Sequence, residues 1–453
     1  MPGARHGWED DDQGRSGRGS VERSNRSNQV IECTSGRHGR NAPPIHIIMR
    51  MANPQVRALD ESSFRAANTL FLRTLHAPPP TDPQWERASQ VHLPGRVLGG
   101  YLDGEELVGT ARSMPVELSV PGGHLPAAAV TGIGVRADKT RQGLMTELLG
   151  RQFAGARAAG EPVAILHASE AVIYERFGYG LASRSRRIRL EPGRAAIRSD
   201  APSGGSVEIL DSAAGAELLP EVYRSFGLHR PGMISRSDAW WGLGLMPPPA
   251  GERVVLVHRD GSGVADGFAH YLPAKRDYRF DDAHVTLRIG DFQARTAAAA
   301  ADLWRFLLET DLADTVVAAN RPVDEPLEWW LTDRRRVHVE SLDDDLWVRL
   351  VDVHSALNAR TFGEGEPVVV AVSDAHIPDN RGCYRIGPDG AERTDAQPDL
   401  SLDVSTLGAI YLGDHPVSRM VDAGRVQVRD PAAVPRFGRL FAQEQLPWCG
   451  TGF

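Results

Sequence analysis

The sequence predicts a multidomain chain of mixed α/β and α+β folds, and three observations carry that expectation. The chain is 453 residues long, which at roughly 150 residues per domain is too long for one small core. From Asn53 onward, strand-period and helix-period patterns alternate, as layered α/β domains require. Composition is ordinary for globular protein, with 41% hydrophobic and 24% charged residues, so a sizeable core is available.

Charge and cysteine usage narrow the function classes. Formal net charge is -8, from 51 basic and 59 acidic residues. That balance argues against a nucleic-acid partner, which needs clustered positive charge. Cys33, Cys383 and Cys449 are scattered and odd in number; no disulfide framework or metal-ligand spacing follows, and a reducing compartment is expected. No apolar run is long enough for a bilayer span, and the N-terminus lacks a secretory h-region. A cytoplasmic location is expected, with export left open, and no metal is expected.

Residues 1–52 read as a disordered N-terminal extension. Residues 1–40 hold only seven apolar residues, too few to offset the entropy of ordering. Met49 and Met51 leave open whether this stretch is a true tail or lies upstream of the native start.

A first domain spans 53–195. Gln55–Leu59 reads as a strand and Ser62–Leu75 as a helix. Arg96–Tyr101 and Glu106–Ser113 form a hairpin across Asp103-Gly104. Val116–Val120 and Ala127–Val135 flank a turn at Pro121-Gly122-Gly123. Leu144–Ala159 is a helix with Met145, Leu148, Leu149, Phe153 and Ala156 on one face. Pro162–His167 is an apolar strand, Glu170–Phe177 a short helix stopped by Gly178, and Leu181–Leu190 a strand with its basic residues outward.

After a Pro/Gly linker over 192–205, a second domain at 205–347 repeats the theme faintly. Its strands are expected at Val254–His258, Gly267–Tyr271 and His284–Gly290, and its helix at Ala297–Glu309. The run Asp291–Thr296 has no glycine where the first copy has Gly143, so this copy is expected to be catalytically silent. A third, α+β unit spans 351–453. Helices are expected at His354–Ala359 and Val417–Ala423, strands at Pro367–Ser373 and Leu400–Ser405, and a hairpin joins Cys383–Ile386 to Ala391–Arg393.

The stretch Thr131–Gly160 carries the chemistry. Strand residues Ile133-Gly134-Val135 lead through Arg136–Thr140 into Arg141-Gln142-Gly143-Leu144-Met145-Thr146 and a helix. A helix N-terminus offers unpaired N–H groups and partial positive charge. Gly143 lets the backbone approach an anion, and Arg141 would add a charge-assisted bond, so the turn suits a pyrophosphate. A plain strand-to-helix turn fits the same residues equally well. Tyr174 and Phe177 lie three apart on one helical face, a spacing more often found in a core.

The motif order resembles the GNAT acetyltransferases, and the run Ala168-Ser169-Glu170…Ile173-Tyr174-Glu175-Arg176-Phe177-Gly178-Tyr179-Gly180 resembles the Eis (enhanced intracellular survival) family of N-acetyltransferases. The ending Leu446-Pro447-Trp448-Cys449-Gly450-Thr451-Gly452-Phe453 is similar to the family's. The resemblance implies tandem GNAT folds, the second degenerate, followed by a sterol-carrier-like domain. It implies acetyl-CoA as cosubstrate, lined by Ile133, Gly134 and Val135, held at its pyrophosphate by backbone from Arg141, Gln142, Gly143, Leu144, Met145 and Thr146, and bordered by Ser169 and Glu170. It makes Tyr174 the proton donor to the leaving thiolate and the α-carboxylate of Phe453 the acceptor of the amine proton. Acceptors would be small-molecule amines, aminoglycosides among them, or lysine side chains, and the assembly a homohexamer.

The chemistry is consistent with those roles. A tyrosine with pKa ~10 carries a proton at neutral pH. A terminal carboxyl at roughly 3.5 is a weak base unless burial raises it. Gly450 and Gly452 would let the tail thread into a pocket, anchored by Trp448 and Phe453, although chain ends more often fray. The sequence departs from the family at Thr140, where Arg or Gln is usual, at bulky Met145, and at Gly452, where aminoglycoside-acetylating members tend to be acidic. Trp240-Trp241 and Trp329-Trp330 are expected to pack the second domain or line the acceptor cleft. Arg334–Arg336 reads as a solvated or subunit face, and His354 and His376 as isolated histidines. The alternative function is a non-catalytic lipid or small-molecule binder, or a regulator, working through the C-terminal domain.

Overall fold

The structure is a computed structural model that describes residues 53–245, 252–275 and 285–453. The extension over 1–52 and the candidate starts Met49 and Met51 lie outside the described residues.

The first half begins with strand β1 (Pro54–Ala58), helices α1 (Phe64–Thr74) and α2 (Asp82–Ser89), and the antiparallel run β2 (Val97–Leu102), β3 (Gly109–Val120) and β4 (Gly123–Val135). A Thr81/Gln84 capping box starts α2, satisfying N–H groups that have no intrahelical partner. Helix α3 (Leu144–Ala158) crosses to β5 (Val163–Leu166), which pairs in parallel with β4. The buried face of α3 is Leu144, Leu148, Leu149, Gln152, Phe153 and Ala156; Met145 is half-buried at its edge. Then come α4 (Ala171–Tyr174) with a 3-10 turn at Glu175–Phe177, β6 (Gly180–Leu181) and β7 (Arg184–Leu190).

Two expectations change here. The strands expected at Glu106–Ser113 and Val116–Val120 are one long strand, β3, that starts at Gly109 and runs through Pro115. Its pairing with β2 stops at Arg112, so Pro115 faces an open edge where a missing N–H is tolerated. The basic residues of Leu181–Leu190 are not all outward. Arg186 is buried, with Nη2 donating to the Glu325 carbonyl at 2.9 Å and both terminal nitrogens on the Glu328 carboxylate.

The second half contains β8 (Gly205–Leu210), α5 (Ser212–Phe226), α6 (Asp238–Gly244), β9 (Val254–Asp260), β10 (Ala265–Lys275), β11 (Val285–Ala294), α7 (Ala297–Leu308), β12 (Thr315–Pro322), α8 (Leu327–Trp330), β13 (His338–Asp344) and β14 (Trp347–Leu350). The two seven-stranded sheets exchange strands. The first has the order β1-β2-β3-β4-β5-β14-β6, the second β13-β7-β12-β11-β10-β9-β8. Sheet membership therefore does not follow the linear ranges 53–195 and 205–347, because each half completes its sheet with chain from the other.

The last unit is α9 (Val353–Asn358), β15 (Val368–Ser373), β16 (Gly382–Gly387), β17 (Gly390–Thr394), β18 (Leu400–Asp403), α10 (Val404–Tyr411), α11 (Val417–Asp422), β19 (Val426–Val428) and α12 (Ala433–Phe441), with sheet order β17-β16-β15-β18-β19. The strand expected to reach Ser405 ends at Asp403, whose carboxylate accepts from the Thr406 N–H at 2.8 Å and starts α10 instead. One apolar core runs from the first sheet into this unit, joining Leu118, Ile165 and Val348 to Val370, Leu407 and Phe437. Where they meet, Arg349 and Asp374 form a fully buried ion pair at 2.7 Å. Burial of that continuous surface couples the third unit to the first.

Candidate active site

Strands β4 and β5 pair only from Ala127↔Val163 to Ala129↔Ile165. β4 continues to Val135 while β5 stops at Leu166. Past Val130 one edge of β4 has no neighbouring strand, so its polar backbone groups are left for another partner. Gly132, at φ 62°, sits in the bulge where β4 shifts register against β3.

The wedge opens onto the loop before α3. Gly143 is the residue preceding that helix, at φ 82°, and no side chain caps its N-terminus. Only Gly is free of steric cost in this left-handed conformation. The Thr146 N–H is already bonded to the Gly143 carbonyl at 3.0 Å, so the free donors lie earlier in the turn. The side chains of Arg141, Gln142 and Thr146 are exposed, and Leu144 points into the core. A cavity of about 790 Å³ adjoins the loop, lined among others by Leu70, Thr74, Leu107, Val135, Arg136 and Thr140.

Across the wedge, α4 buries Tyr174 in the same apolar cluster as Val130, Leu149 and Phe153, with Ile133 and Met145 packed against it. Burial raises the Tyr174 pKa; a hydrogen bond with Ser169 opposes the rise and the Glu170 charge adds to it. Its proton is therefore held above the ordinary tyrosine value. Ser169 and Glu170 themselves are exposed at the end of β5.

The C-terminal segment threads between both halves and does not fray. Arg230 Nε donates to the Leu446 carbonyl at 2.7 Å, and the Trp448 N–H to the Pro231 carbonyl at 2.8 Å. The Cys449 N–H bonds to Asp345 at 2.8 Å. Arg236 donates from Nη2 to the Gly450 carbonyl at 3.1 Å and from Nε to Thr451 Oγ1 at 3.0 Å. Trp240 Nε1 donates to the Gly452 carbonyl at 2.7 Å, and Thr131 Oγ1 donates to an α-carboxylate oxygen of Phe453 at 3.3 Å. Gly450 sits at φ 64°, and a Cβ there would lie 2.5 Å from the Trp448 ring. Arg236 is enclosed by Tyr223, Trp240 and Trp241, with the nearest ring centroid at 4.0 Å, and pairs with Asp291 at 2.6 Å. Burial pushes the Asp291 carboxyl up, but the Arg236 charge together with hydrogen bonds from Arg236 and Gln293 and the nearby His270 holds the pKa below the ordinary value.

His167 completes the grip on the tail. Its Nδ1 faces the Asp345 carbonyl at 2.6 Å, its Nε2 faces the Thr451 carbonyl at 2.9 Å, and its ring is 4.7 Å from that of Phe453. His167, Asp345 and Cys449 bring one ligand atom each within 4.8 Å of one another, yet both imidazole nitrogens are directed at carbonyl oxygens. Sequence reasoning passed over His167, although a polar residue ending an apolar strand just before Ala168-Ser169 was a usable signal. Arg236 and Thr131 gave none, since both act on the far end of the chain.

The tail forms one wall of two adjoining cavities of about 180 and 240 Å³ that share Met114, Trp240 and Phe453. Trp241 and Trp330 are core residues, whereas Trp240 lines the cleft and Trp329 is exposed.

The second sheet repeats the wedge but fills it. β11 and β12 pair in parallel only from Thr286↔Thr315 to Ile289↔Ala318, and β11 continues to Ala294. Arg321 Nη1 crosses the gap to the Phe292 carbonyl at 2.8 Å and pairs through Nη2 with Glu325 at 2.6 Å. Trp304 Nε1 also donates to Glu325, at 2.8 Å. Helix α7 is capped by Thr296, whose Oγ1 accepts from the Ala299 N–H at 3.1 Å.

Residues 55–182 and 232–350 each match an acetyltransferase (GNAT) domain, and residues 353–450 match a sterol carrier protein domain. An uncharacterised N-acetyltransferase of Streptomyces coelicolor is 37% identical over 78% of this chain and 87% of its own length. The N-acetyltransferase Eis of Mycobacterium tuberculosis is 32% identical over 77% of this chain and 86% of its own. The crystal structure of Eis1 from Mycobacterium abscessus superposes with a TM-score of 0.80 at 36% identity, covering 88% of this chain and all of that one.

Proposed function

The chain belongs to the Eis family of GNAT N-acetyltransferases, and on that premise we propose that it transfers acetyl from acetyl-CoA directly to an amine acceptor. Acetyl-CoA enters the wedge, with its thioester along Ile133, Gly134 and Val135 and its pyrophosphate at the uncapped turn from Arg141 through Met145; Thr146, also expected there, has its N–H on the Gly143 carbonyl. Ser169 and Glu170 border it at the end of β5. Backbone N–H on the unpaired edge of β4 polarises the thioester carbonyl. The nitrogen–carbon bond forms as the carbon–sulfur bond breaks. The amine proton passes to the α-carboxylate of Phe453, and the departing sulfur takes the phenol proton of Tyr174.

One observation supports this reading above the others. Ile133 packs against the apolar cluster that contains Tyr174, and Thr131, two residues earlier on β4, donates to the Phe453 carboxylate. The proposed acid and base are thus both tied to the segment of β4 around the Gly132 bulge. The second GNAT-like domain, its wedge plugged, is proposed to be catalytically silent and to hold the tail. The proposed assembly is a homohexamer by family resemblance, and the proposed location is the cytoplasm.

Adding a single glycine after Phe453 tests the assignment of the base. It displaces the carboxylate while keeping the tail contacts. Turnover with an amine acceptor is expected to fall by about a hundredfold with acetyl-CoA dissociation unchanged; an undiminished rate removes the carboxylate from the mechanism.

A further inference from the structure

The 240 Å³ cavity beside the tail contains a cation that no Asp or Glu pairs with among the described residues. Arg112 lies on β3 opposite Thr131 and lines the 240 Å³ cavity together with Val91, Met114, Trp240, Gly452 and Phe453. Its side chain packs over Gly132, where an added Cβ would sit 3.1 Å from Nε. Its only hydrogen bond among the described residues is a long one, Nη1 to the Val91 carbonyl at 3.3 Å. Among the described residues it forms no ion pair, whereas Arg236 at the edge of the same cleft is neutralised by Asp291. Burial pulls the Arg112 pKa down to about 10, so it remains charged at neutral pH. The neighbouring His92 faces it, and burial together with the Arg112 charge lowers that imidazole to about 4, leaving it neutral. No Asp or Glu lines either small cavity.

A half-buried guanidinium without an ion-pair partner favours an anion that enters beside it. The same cavity ends at Phe453, whose carboxylate is the other charge. A ligand matching both would be cationic at one end and anionic at the other.

We propose that the acceptor is an amine that also carries a carboxylate, with its amine delivered to Phe453 and its carboxylate bound by Arg112. This rests on the catalytic reading above and sharpens it, because it names the acceptor class and places polycationic amines among the poorer substrates. Arg112 is a specificity residue, and the fork of a guanidinium suits a planar carboxylate better than an ammonium does.

The test uses the full chain, with and without bound CoA. ω-Amino carboxylates of three to six carbons are compared with their carboxamides, which differ only in the anionic group, and with kanamycin. Wild-type protein is expected to bind and acetylate at least one carboxylate tenfold or more better than its carboxamide, as read by calorimetry for binding and by kcat/KM for turnover. Arg112→Leu should abolish that preference and Arg112→Lys should keep part of it, with acetyl-CoA dissociation unchanged in both. Removing an unpaired charge should leave the melting temperature of Arg112→Leu unchanged or raise it, so loss of the preference is not a folding defect. Equal binding of carboxylate and carboxamide by wild type, or a preference that survives Arg112→Leu, overturns the proposal. Because binding is read apart from turnover, a chain that prefers the carboxylate in calorimetry but acetylates nothing would retain the Arg112 site and refute the catalytic reading instead.

Discussion

The two halves of the molecule place the same wedge in two sheets and put it to opposite uses. In the first, β4 separates from β5 after Ala129, the helix between them starts at the uncapped turn at Gly143, and Tyr174 lies in the buried cluster that contains Val130. In the second, β11 separates from β12 after Ile289, and Arg321 with Glu325 closes the opening from within. The helix starts follow the same division: α3 has no side-chain cap and α7 is capped by Thr296. The first N–H groups of α3 are left without a side-chain partner, and those of α7 are satisfied by the chain itself. Arg236 and Trp240, from the half whose wedge is filled, hold the tail.

If this comparison is right, equivalent mutations in the two wedges should fail in different ways. Arg321→Ala strands a buried carboxylate and should cost about 3–5 kcal/mol of stability, measured by urea denaturation, with acetyl-CoA affinity of the folded fraction unchanged. A gain of a second CoA site on that substitution would show that the plug alone silences the second copy. Tyr174→Phe should do the reverse. It removes one hydroxyl from a buried ring and should lower kcat by roughly 10²–10³ with little change in melting. In the wild type, the alkaline limb assigned to this group should lie above pH ~10, because burial raises its pKa.

Smaller effects probe the two helix starts. Gly143→Ala forces a side chain into a left-handed residue at about 1 kcal/mol. The only atom near its Cβ is Pro54 Cγ at 3.9 Å, so the protein should fold and bind acetyl-CoA roughly tenfold more weakly. Thr296→Ala should cost about 1 kcal/mol of stability and leave acetyl-CoA affinity untouched. Equal effects of these two substitutions on acetyl-CoA would mean that the uncapped turn is not the pyrophosphate site.

Local pattern made much of this legible in the sequence. Helix α3, strand β5, the short helix ending at Gly178 and the hairpin of β16 and β17 follow from periodicity and turn residues, which act over a few neighbours. The turn at Gly143 and the tyrosine at 174 were visible as a local motif, as was the absence of a glycine after β11, where the structure has a helix start capped by Thr296. The burial of Arg186 was not legible, because its partners Glu325 and Glu328 lie far along the chain. Nor was the continuation of β3 through Pro115, because the open edge there is set by where β2 stops.

By itself the sequence determined the succession of strands and helices, the glycine-bearing turn and the aromatic pair behind it, since each depends on residues within one or two turns of backbone. Only the tertiary structure decided which wedge stays open, that the halves exchange β7 and β14, and that residues 446–453 are gripped by His167, Arg236 and Trp240. Those outcomes depend on burial and charge pairing between segments hundreds of residues apart, and no spacing along the chain encodes which distant groups will meet.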